Sequence, residues 1–552
     1  MPLARCDPAS RRWVLAATIL GSSMAFIDGT AINVALPVLQ RSLGTSVAGA
    51  QWVVEAYALF LSALVLVGGS LSDRVGRRRI FSTGAVVFAA SSLACGLAPG
   101  VSSLIAARAV QGVGAALLVP SSLAILGAAF SPEDRGRAVG TWSALTAIAA
   151  AVGPAMGGLL VQAVSWRAVF FLNLPIASAV LWITARRVPE SRNPAAGRLD
   201  LVGALLATAG LGALTFGLIE APAAGWSDPR VWGSVSAGAA ALAAFLALER
   251  RASDPMVPPR LFRIRSFAAA NLLTFFLYAA LSAALFFLPF DLIQARGYSP
   301  SAAGAAVLPL VLVISLLSRW SGAAADRVGS RLPLTIGPVV AAAGFLLLGM
   351  SGRFESYASS LLPALSILGL GMAITVAPLT TAVLNAAGRG DAGAASGINN
   401  AVARVASLLA IAVFGILATA TFDRSLDWRL DRSGISPRAR EAVSIERSKL
   451  GAITPPAGLP AAEAGAIEDA VRTSLASSFR TVVLGCAALA LLASACAAWG
   501  LRGVKGSPPS SGRESGEKFS SLPPRAGERR GERAEFSIRA RDQNQGSSSV
   551  GP

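Results

Sequence analysis

The sequence predicts an all-α protein that crosses a lipid bilayer many times. Of its 552 residues, 54% are hydrophobic and only 14% are charged, and the mean hydropathy is +0.60. A soluble protein carries about 25% charged residues, so this composition excludes the soluble classes. Apolar runs of about twenty residues, which are long enough to cross a bilayer, recur along most of the chain.

Hydropathy predicts about fourteen membrane spans. The first apolar run follows Arg11 and Arg12, as the core of a signal peptide would, but it is long, contains Asp28 and has no small-residue cleavage pattern. It is therefore interpreted as the first span. In chain order the spans are predicted at residues 13–36, 51–71, 80–98, 102–127, 138–164, 168–186, 200–219, 231–248, 267–292, 302–320, 332–350, 359–384, 394–420 and 479–501.

Arginines in alternate loops predict the orientation. If the N-terminus is cytoplasmic, the cytoplasmic loops hold clusters of arginine and the short outer loops hold single arginines, as the positive-inside rule requires. An odd number of spans before Arg250 would break this pattern, so the charges also support the span count. The clustered arginines are Arg74, Arg77–Arg79, Arg135, Arg137, Arg186, Arg187, Arg192, Arg198, Arg250, Arg251, Arg260, Arg263 and Arg265.

Charge and composition exclude several function classes. The formal net charge of +18 would suggest a nucleic-acid partner, but the charges lie in loops and in the tail rather than on one folded face, so none is expected. The chain contains no histidine, so proton chemistry near neutral pH would require carboxylates. No phosphate-binding loop, metal-ligand cluster or nucleophile elbow occurs. We therefore expect no enzymatic activity, metal or cofactor.

A glycine- and arginine-rich motif occurs twice. The first copy lies between spans 2 and 3 and the second between spans 10 and 11, eight spans apart. Two six-helix halves would place the copies six spans apart, so two extra helices are predicted between the halves. The residues of the first copy are Gly69, Asp73, Arg74, Gly76, Arg77 and Arg78, and those of the second are Gly322, Asp326, Arg327, Gly329 and Arg331.

These features predict six segments. The segment 421–478 is a long outer loop with two short helices, at Arg438–Lys449 and at Ala461–Ser478. The tail is rich in Ser, Gly, Pro and Arg and is expected to be disordered. The segments are a cytoplasmic N-terminus (1–12), an N-terminal six-helix bundle (13–198), two inserted helices (199–250), a cytoplasmic linker (251–266), a C-terminal six-helix bundle that includes the outer loop (267–501) and a cytoplasmic tail (502–552).

Three charged residues fall within spans of the first half: Asp28, Glu55 and Arg108. A charge at mid-membrane costs about 2.5–3.5 kcal/mol, so such residues usually face a cavity or a partner. Each has a structural alternative. Asp28 could cap amides at a helix bend, Glu55 could be solvated near the outer end of its span, and Arg108 could form a purely structural salt bridge.

Other polar and small residues complete the candidate sites. Pro154 removes a backbone donor and kinks span 5, and the glycines around it permit close helix packing, which predicts a pivot. Arg404 in span 13 is either a cavity residue or the partner of a carboxylate. The pivot residues are Gly153, Pro154, Gly157 and Gly158, and the candidates for lining a cavity are Asn33, Gln111, Asn399, Asn400 and Arg404.

Five motifs in this order resemble the major facilitator superfamily, in its fourteen-helix drug:proton antiporter branch. The first copy of the repeated motif is similar to the superfamily's loop signature, and Gly153 to Gly158 to its antiporter motif. The segment from Trp166 to Pro175 is also similar to this branch. The first-span signature matches Asp28, Thr30, Asn33, Val34, Ala35, Leu36 and Pro37, and the fourth-span motif matches Arg108, Gln111, Gly112, Gly114 and Ala116.

The resemblance implies two six-helix bundles plus two inserted central helices. It also implies export of amphipathic small molecules or drugs across the bacterial inner membrane by alternating access, driven by the proton gradient without a cofactor. Asp28, Glu55 and Arg108 would couple protons, the first motif copy would form the gate and the span 5 motif the antiport hinge. Some members that export cationic drugs have acids within the spans of the second half, whereas span 10 here has none. This difference argues against polyvalent cations as substrates.

Other functions remain open at this stage. The same fold could serve a dedicated metabolite exporter or a proton-linked importer, and a non-transporting membrane sensor is a further alternative. The partners expected are a small-molecule substrate, protons and the lipid bilayer, and the need for a periplasmic adaptor is open.

Overall fold

The computed structural model describes residues 8–192, 200–252, 257–352 and 356–501, and the segments between these ranges consist of residues outside this description. The predicted tail 502–552 lies outside the described residues. The helices are α1 Pro8–Leu43, α2 Val47–Val75, α3 Arg77–Leu97, α4 Val101–Ala129, α5 Pro132–Ala163, α6 Ala168–Phe171, α7 Asn173–Arg187, α8 Leu201–Ala224, α9 Pro229–Arg251, α10 Pro259–Phe262, α11 Arg265–Phe290, α12 Pro300–Ala306, α13 Leu308–Val328, α14 Arg331–Met350, α15 Leu361–Arg432, α16 Pro437–Ile445 and α17 Ala461–Gly500.

Fourteen helical stretches among the described residues are long and apolar enough to cross a bilayer, which confirms the predicted number of spans. One of them joins α6 and α7 into a single stretch. Helix α15 provides two stretches, because Gly388 at φ 76° interrupts its helical backbone. The protein is thus an all-helical, multi-pass membrane protein.

The predicted outer segment 421–478 is helical at both ends. Helix α15 continues to Arg432 and α17 begins at Ala461, so the predicted separate helix Ala461–Ser478 is part of α17. A helix satisfies its own backbone hydrogen bonds in water as well as in lipid, and hydropathy marks only the part that is apolar. The predicted helix Arg438–Lys449 corresponds to α16, Pro437–Ile445, and the 3₁₀ turn that follows it, Arg447–Ala452.

Helix packing separates the chain into two halves with α8 and α9 between them. In the first half, α1 packs against α5 and α7, and α4 packs against α2 and α3. In the second half, α15 packs against α11, α13 and α14, and α17 packs against α11 and α14. Helices α8 and α9 pack on each other, and α8 also contacts α2 and α15. Helix α8 therefore touches both halves.

The two ends of the bundle differ in how the halves meet. We call the end that holds Gly76 and Gly329 the arginine-rich end, and the other the opposite end. Within the described part, the hydrogen bonds between the halves lie toward the opposite end. They are Gln40 Nε2 to the Lys449 carbonyl (3.0 Å), Gln294 Nε2 to Gln40 Oε1 (3.1 Å) and to the Pro37 carbonyl (3.5 Å), Gln51 Nε2 to the Ile411 carbonyl (2.9 Å), and the backbone N–H and hydroxyl of Ser301 to Gln162 Oε1.

Two glycines let the halves approach at this end. A Cβ on Gly304 would lie 2.2 Å from the carbonyl oxygen of Pro154, and one on Gly158 would lie 2.3 Å from that of Pro300. Both distances are far below van der Waals contact, so a side chain at either position must push the halves apart. Close packing of α5 against α12 therefore depends on these glycines.

Replacing Gly304 with alanine should separate the halves at the opposite end. We expect the disulfide cross-link between Gln162→Cys and Ser301→Cys, introduced without the native cysteines, to form several-fold more slowly in Gly304→Ala. The matched control is Gly140→Ala on α5, where an added Cβ meets nothing within 4 Å. Equal cross-linking rates in both variants would show that the glycine contact does not hold the halves together.

Candidate functional site

A buried ion pair joins two helices inside the first half. Arg108 on α4 donates from Nη1 to Oδ2 of Asp28 on α1 at 2.5 Å. Arg108 is 0% exposed and Asp28 is 1% exposed. Because removing one partner of a buried pair leaves an uncompensated charge, each of these residues requires the other.

Two amide side chains complete the environment of the Asp28 carboxylate. Oδ1 of Asp28 accepts from Gln111 Nε2 at 3.0 Å and from Asn173 Nδ2 at 2.9 Å. Both amides also donate to the hydroxyl of Ser92 on α3, at 3.3 Å and 2.9 Å. The carboxylate and the two amides therefore tie together α1, α3, α4 and α7.

The guanidinium of Arg108 is held by further contacts on α2 and α4. Its Nε donates to the carbonyl of Val53 at 3.0 Å, and its Nη1 donates to Gln111 Oε1 at 2.8 Å. The Tyr57 ring lies under the guanidinium, 4.3 Å from Cζ to the ring centroid. Nη2 has no hydrogen-bond partner among the described residues, so the guanidinium keeps unused donor capacity.

Glu55 lies on α2 outside this cluster. It is 0% exposed, and neither carboxylate oxygen has a hydrogen-bond partner among the described residues. Its burial removes the alternative in which it is solvated at the membrane surface. Among the described residues, Glu55 therefore forms neither a hydrogen bond nor an ion pair with Asp28 or Arg108, and its role in proton coupling stays a prediction.

The candidates for a cavity lining differ in their surroundings. Gln111 is buried in the Asp28 cluster, whereas Asn33 is half-buried. Asn399 donates to the hydroxyl of Thr274 at 2.7 Å. Asn400 is exposed and donates to a carbonyl of its own helix. Arg404 is half-buried, and no ion pair to it occurs among the described residues, so its pairing with a carboxylate is not seen there.

The first motif copy forms a capped turn between α2 and α3. Gly76 adopts φ 134°, which L-residues rarely adopt. Arg77 pairs with Asp73 at 2.7 Å. The carboxylate of Glu190, which follows α7, accepts the backbone N–H groups of Arg78 and Arg79 at 3.0 and 3.2 Å. A carboxylate at a helix N-terminus satisfies free donors and complements the helix dipole, so Glu190 stabilises the turn.

The remaining residues of the two copies occupy corresponding turns. Gly329 adopts φ 82° between α13 and α14, as Gly76 does in the first half. Arg331 donates to the carbonyl of Ala498 at 3.5 Å. The side chain of Asp326 lies outside the described part. Within the copies, Arg74 and Arg327 are exposed, and Gly69 and Gly322 are half-buried.

The pivot residues of α5 face two helices in different halves. A Cβ on Gly153 would lie 2.0 Å from Thr30 Oγ1, and one on Gly157 would lie 2.7 Å from the carbonyl of Ala31. Thr30 and Ala31 follow Asp28 on α1, while Pro154 and Gly158 contact α12. Helix α5 thus connects the Asp28-bearing helix with the other half.

Sequence reasoning missed three residues of these sites. Asn173 appeared only within a longer motif, and Ser92 and Glu190 carried no motif at all. Asn173 could have been found as an amide in an apolar stretch, because such a group needs a partner there. A serine readily bonds to its own helix, so Ser92 gives no comparable signal.

Comparisons with known proteins give a consistent result. A family model described as Major Facilitator Superfamily matches residues 18–411. Multidrug resistance protein Stp of Mycobacterium tuberculosis is 36% identical over 449 residues, which cover 80% of this chain and 83% of that protein. The Tetracenomycin C resistance and export protein of Streptomyces glaucescens is 34% identical over 497 residues, covering 88% and 91%. Puromycin resistance protein pur8 of Streptomyces alboniger is 37% identical over 426 residues, covering 75% and 84%.

Solved structures share the fold at low sequence identity. A bacterial homologue of the human lysosomal transporter Spinster, in an inward-facing and unoccupied conformation, has a TM-score of 0.60 and 19% identity, covering 89% of this chain and 98% of that chain. The peptide transporter POT in complex with sulfate has a TM-score of 0.55 and 16% identity, covering 74% and 88%. These matches and the fourteen helical stretches confirm the predicted fold and the predicted family branch.

Charge compensation between Asp28 and Arg108 should appear as non-additive stability. We expect Arg108→Met to lower the free energy of unfolding by about 3–5 kcal/mol, because it leaves a buried carboxylate unpaired. The double variant Asp28→Asn/Arg108→Met should be more stable than the sum of the two single changes predicts. Denaturant unfolding of the purified protein in detergent measures these values. Strictly additive losses would show that the two charges do not stabilise each other.

Gly76→Ala should destabilise the turn by about 1–3 kcal/mol, since it places a side chain in a rarely populated backbone conformation. The added Cβ would also lie 2.8 Å from the carboxylate carbon of Glu190. Gly100→Ala is the control, because Gly100 has φ −155° and an added Cβ there meets nothing within 4 Å. The same unfolding measurement should separate the two variants, and equal losses would contradict the geometric argument.

Proposed function

This chain belongs to the Major Facilitator Superfamily, and we propose that it is a proton-coupled antiporter that exports amphipathic small molecules or drugs from the bacterial cytoplasm. Family membership and the fourteen helical stretches place it in the membrane as a multi-pass transporter. The names of its relatives, which refer to multidrug, tetracenomycin C and puromycin resistance, support export. The coupling to protons is argued from the site itself.

The observation that carries the coupling proposal is the fully buried Asp28–Arg108 pair. Protonation of Asp28 would remove the negative charge and leave Arg108 uncompensated in a medium where an unpaired charge is costly. Arg108 would then favour any arrangement that offers it another acceptor, and its Nη2 is available for one. Binding of one proton is thereby linked to a shift of α4 relative to α1.

Helix packing provides a route from this pair to the interface between the halves. Asp28 is followed on α1 by Thr30 and Ala31, and Gly153 and Gly157 of α5 pack directly against the Thr30 side chain and the Ala31 backbone. The same helix meets α12 through Pro154 and Gly158. Because close-packed helices move in discrete steps, a displacement of α1 would be passed through α5 to the opposite half.

Arginine clustering supports a cytoplasmic location for the arginine-rich end. In that orientation the Gly76 turn, with its Asp73–Arg77 pair and its Glu190 cap, stands at the cytoplasmic entrance. The Asp73–Arg77 ion pair joins the end of α2 to the start of α3, so it can break and re-form as these helices move. This turn would therefore act as the cytoplasmic gate.

The absence of acids from residues 302–320 bears on the substrate class. A polyvalent organic cation would need several carboxylates to replace its hydration. Neutral or singly charged amphipathic compounds would need few polar partners and an apolar surface. We therefore propose this second class as substrates, and puromycin and tetracenomycin C are the first probes to screen.

Asp28→Asn should abolish transport driven by a pH gradient while leaving membrane insertion intact. The assay uses inverted vesicles from a pump-deficient host, an imposed pH gradient and a probe selected by the screen. We expect accumulation to fall at least about tenfold, because typical coupling free energies correspond to factors of that order. Accumulation equal to that of the wild-type protein would overturn the coupling role.

The matched control is Asp228→Asn, an acid-to-amide change in the loop between α8 and α9. Asp228 caps α9 and pairs with the exposed Arg230, and asparagine caps a helix about as well as aspartate. This variant should transport like the wild-type protein. Import rather than export of the probe under the same gradient would favour the importer alternative.

A further inference from the structure

Two buried polar groups in different parts of the chain lack partners. Glu55 on α2 and Thr215 on α8 are both 0% exposed. The two carboxylate oxygens of Glu55 and the hydroxyl of Thr215 have no hydrogen-bond partner among the described residues. Buried polar groups are almost always satisfied, so each exception calls for an explanation.

The register of α2 and α8 places these two groups at the same level. A Cβ on Gly212 would lie 3.2 Å from Leu59 Cδ2, and the rings of Trp52 and Phe216 lie 6.2 Å apart. Residue numbers thus decrease along α2 as they increase along α8, so the helices are antiparallel. Glu55 lies between Leu59 and Trp52, and its level on α8 is that of Thr215.

A second register places Glu55 against the other half of the protein. Gln51 donates to the carbonyl of Ile411, and Leu59 packs with Leu408 on α15. Residues four apart on a helix share a face, so Glu55 lies on the face of α2 that carries both contacts. Tyr57 points away from this face and donates to the carbonyl of Ala25 on α1.

No nearby charge compensates Glu55 within the described part. Helix α4 contributes Arg108, which pairs with Asp28 and donates to the backbone of α2. Helix α15 contributes the half-buried Arg404 and α8 contributes Glu220, and neither forms an ion pair with Glu55 there. An ionised carboxylate in this position would be buried without a partner, whereas a protonated one is neutral and can donate a hydrogen bond.

We propose that Glu55 and Thr215 form a second proton-binding site, shared by α2, α8 and α15 and separate from the Asp28–Arg108 pair. The site holds its proton while α2 and α15 are in contact, with the Glu55 carboxyl group donating to the Thr215 hydroxyl after a change of rotamer. Loss of the proton leaves a charge that must reach water, which requires α15 to move away. Proton binding here therefore favours closure of the halves at the opposite end.

This assignment gives α8 a role in the mechanism. Helix α8 belongs to neither six-helix half, yet it supplies the hydroxyl that completes the site. The proposal rests on the alternating-access transport proposed above, but it concerns a conformational equilibrium that can be measured without any substrate.

The test measures the distance between spin labels at Leu97→Cys and Met350→Cys, in detergent, from pH 5.5 to 8.5. Both side chains are largely exposed, at 65% and 71%, and they end α3 and α14 at the opposite end of the two halves. We expect a short distance at low pH and a longer one at high pH. A distance that does not change with pH in the wild-type protein would overturn the proposal.

Variants identify the titrating group. In the Asp28→Asn background, where the Asp28–Arg108 pair cannot bind a proton, Glu55→Gln should keep the short distance at every pH, because a neutral amide mimics the protonated acid. Thr215→Val should move the midpoint of the pH-dependent distance change to lower pH by up to about one unit, since it removes a hydrogen bond to the protonated form of Glu55. The control Glu220→Gln, an acid-to-amide change on α8, should behave like the wild-type protein.

The outcomes separate this site from the coupling pair. A wild-type pH response in Asp28→Asn/Glu55→Gln would overturn the proposal, and so would a permanently long distance in that variant. If Glu55→Gln fails to fold, the midpoint of Thr215→Val decides, and an unchanged midpoint counts against the site. The pH response should persist in Asp28→Asn, so failure of the Asp28 transport assay leaves this result intact, and the reverse also holds.

Discussion

The structure of the first half depends on one buried ion pair. The Asp28 carboxylate collects donors from α4 and α7, and Ser92 on α3 bridges two of them. Because the site is buried, the charge of Asp28 and that of Arg108 are each tolerable only with the other present. The arrangement is therefore stable in one protonation state and unfavourable in the other, which is the property that a proton-driven switch requires.

Close backbone packing turns this electrostatic constraint into a mechanical one. The glycines of α5 bring its backbone against α1 on one side and against α12 on the other. Longer side chains at these positions would absorb small displacements by changing rotamer, whereas backbone contacts transmit them. Helix α5 thus packs both against the helix that bears Asp28 and at the interface between the halves. No long chain of side chains is needed to connect the Asp28–Arg108 pair with that interface.

The sequence predicted the helical class, the number of spans and the repeated turn at Gly76 and Gly329, since these depend on local composition and on short motifs. It could not predict where α17 begins, because a helix continues beyond the apolar stretch that hydropathy detects. It named Glu55 with Asp28 as a coupling residue, but it could not show that Glu55 is fully buried without a hydrogen-bond partner among the described residues. Glu190, which caps the Gly76 turn, lies far from it in the chain, so only the packing of the helices identifies it.

Proton release by the purified protein tests most directly whether Asp28 exchanges a proton for substrate. A pH-sensitive dye in weakly buffered detergent solution would record the protons released when a transported compound is added. We expect release by the wild-type protein and a clearly smaller release by Asp28→Asn, in which the carboxyl group is absent. Equal release by the two proteins would contradict it, because the proton would then come from another group.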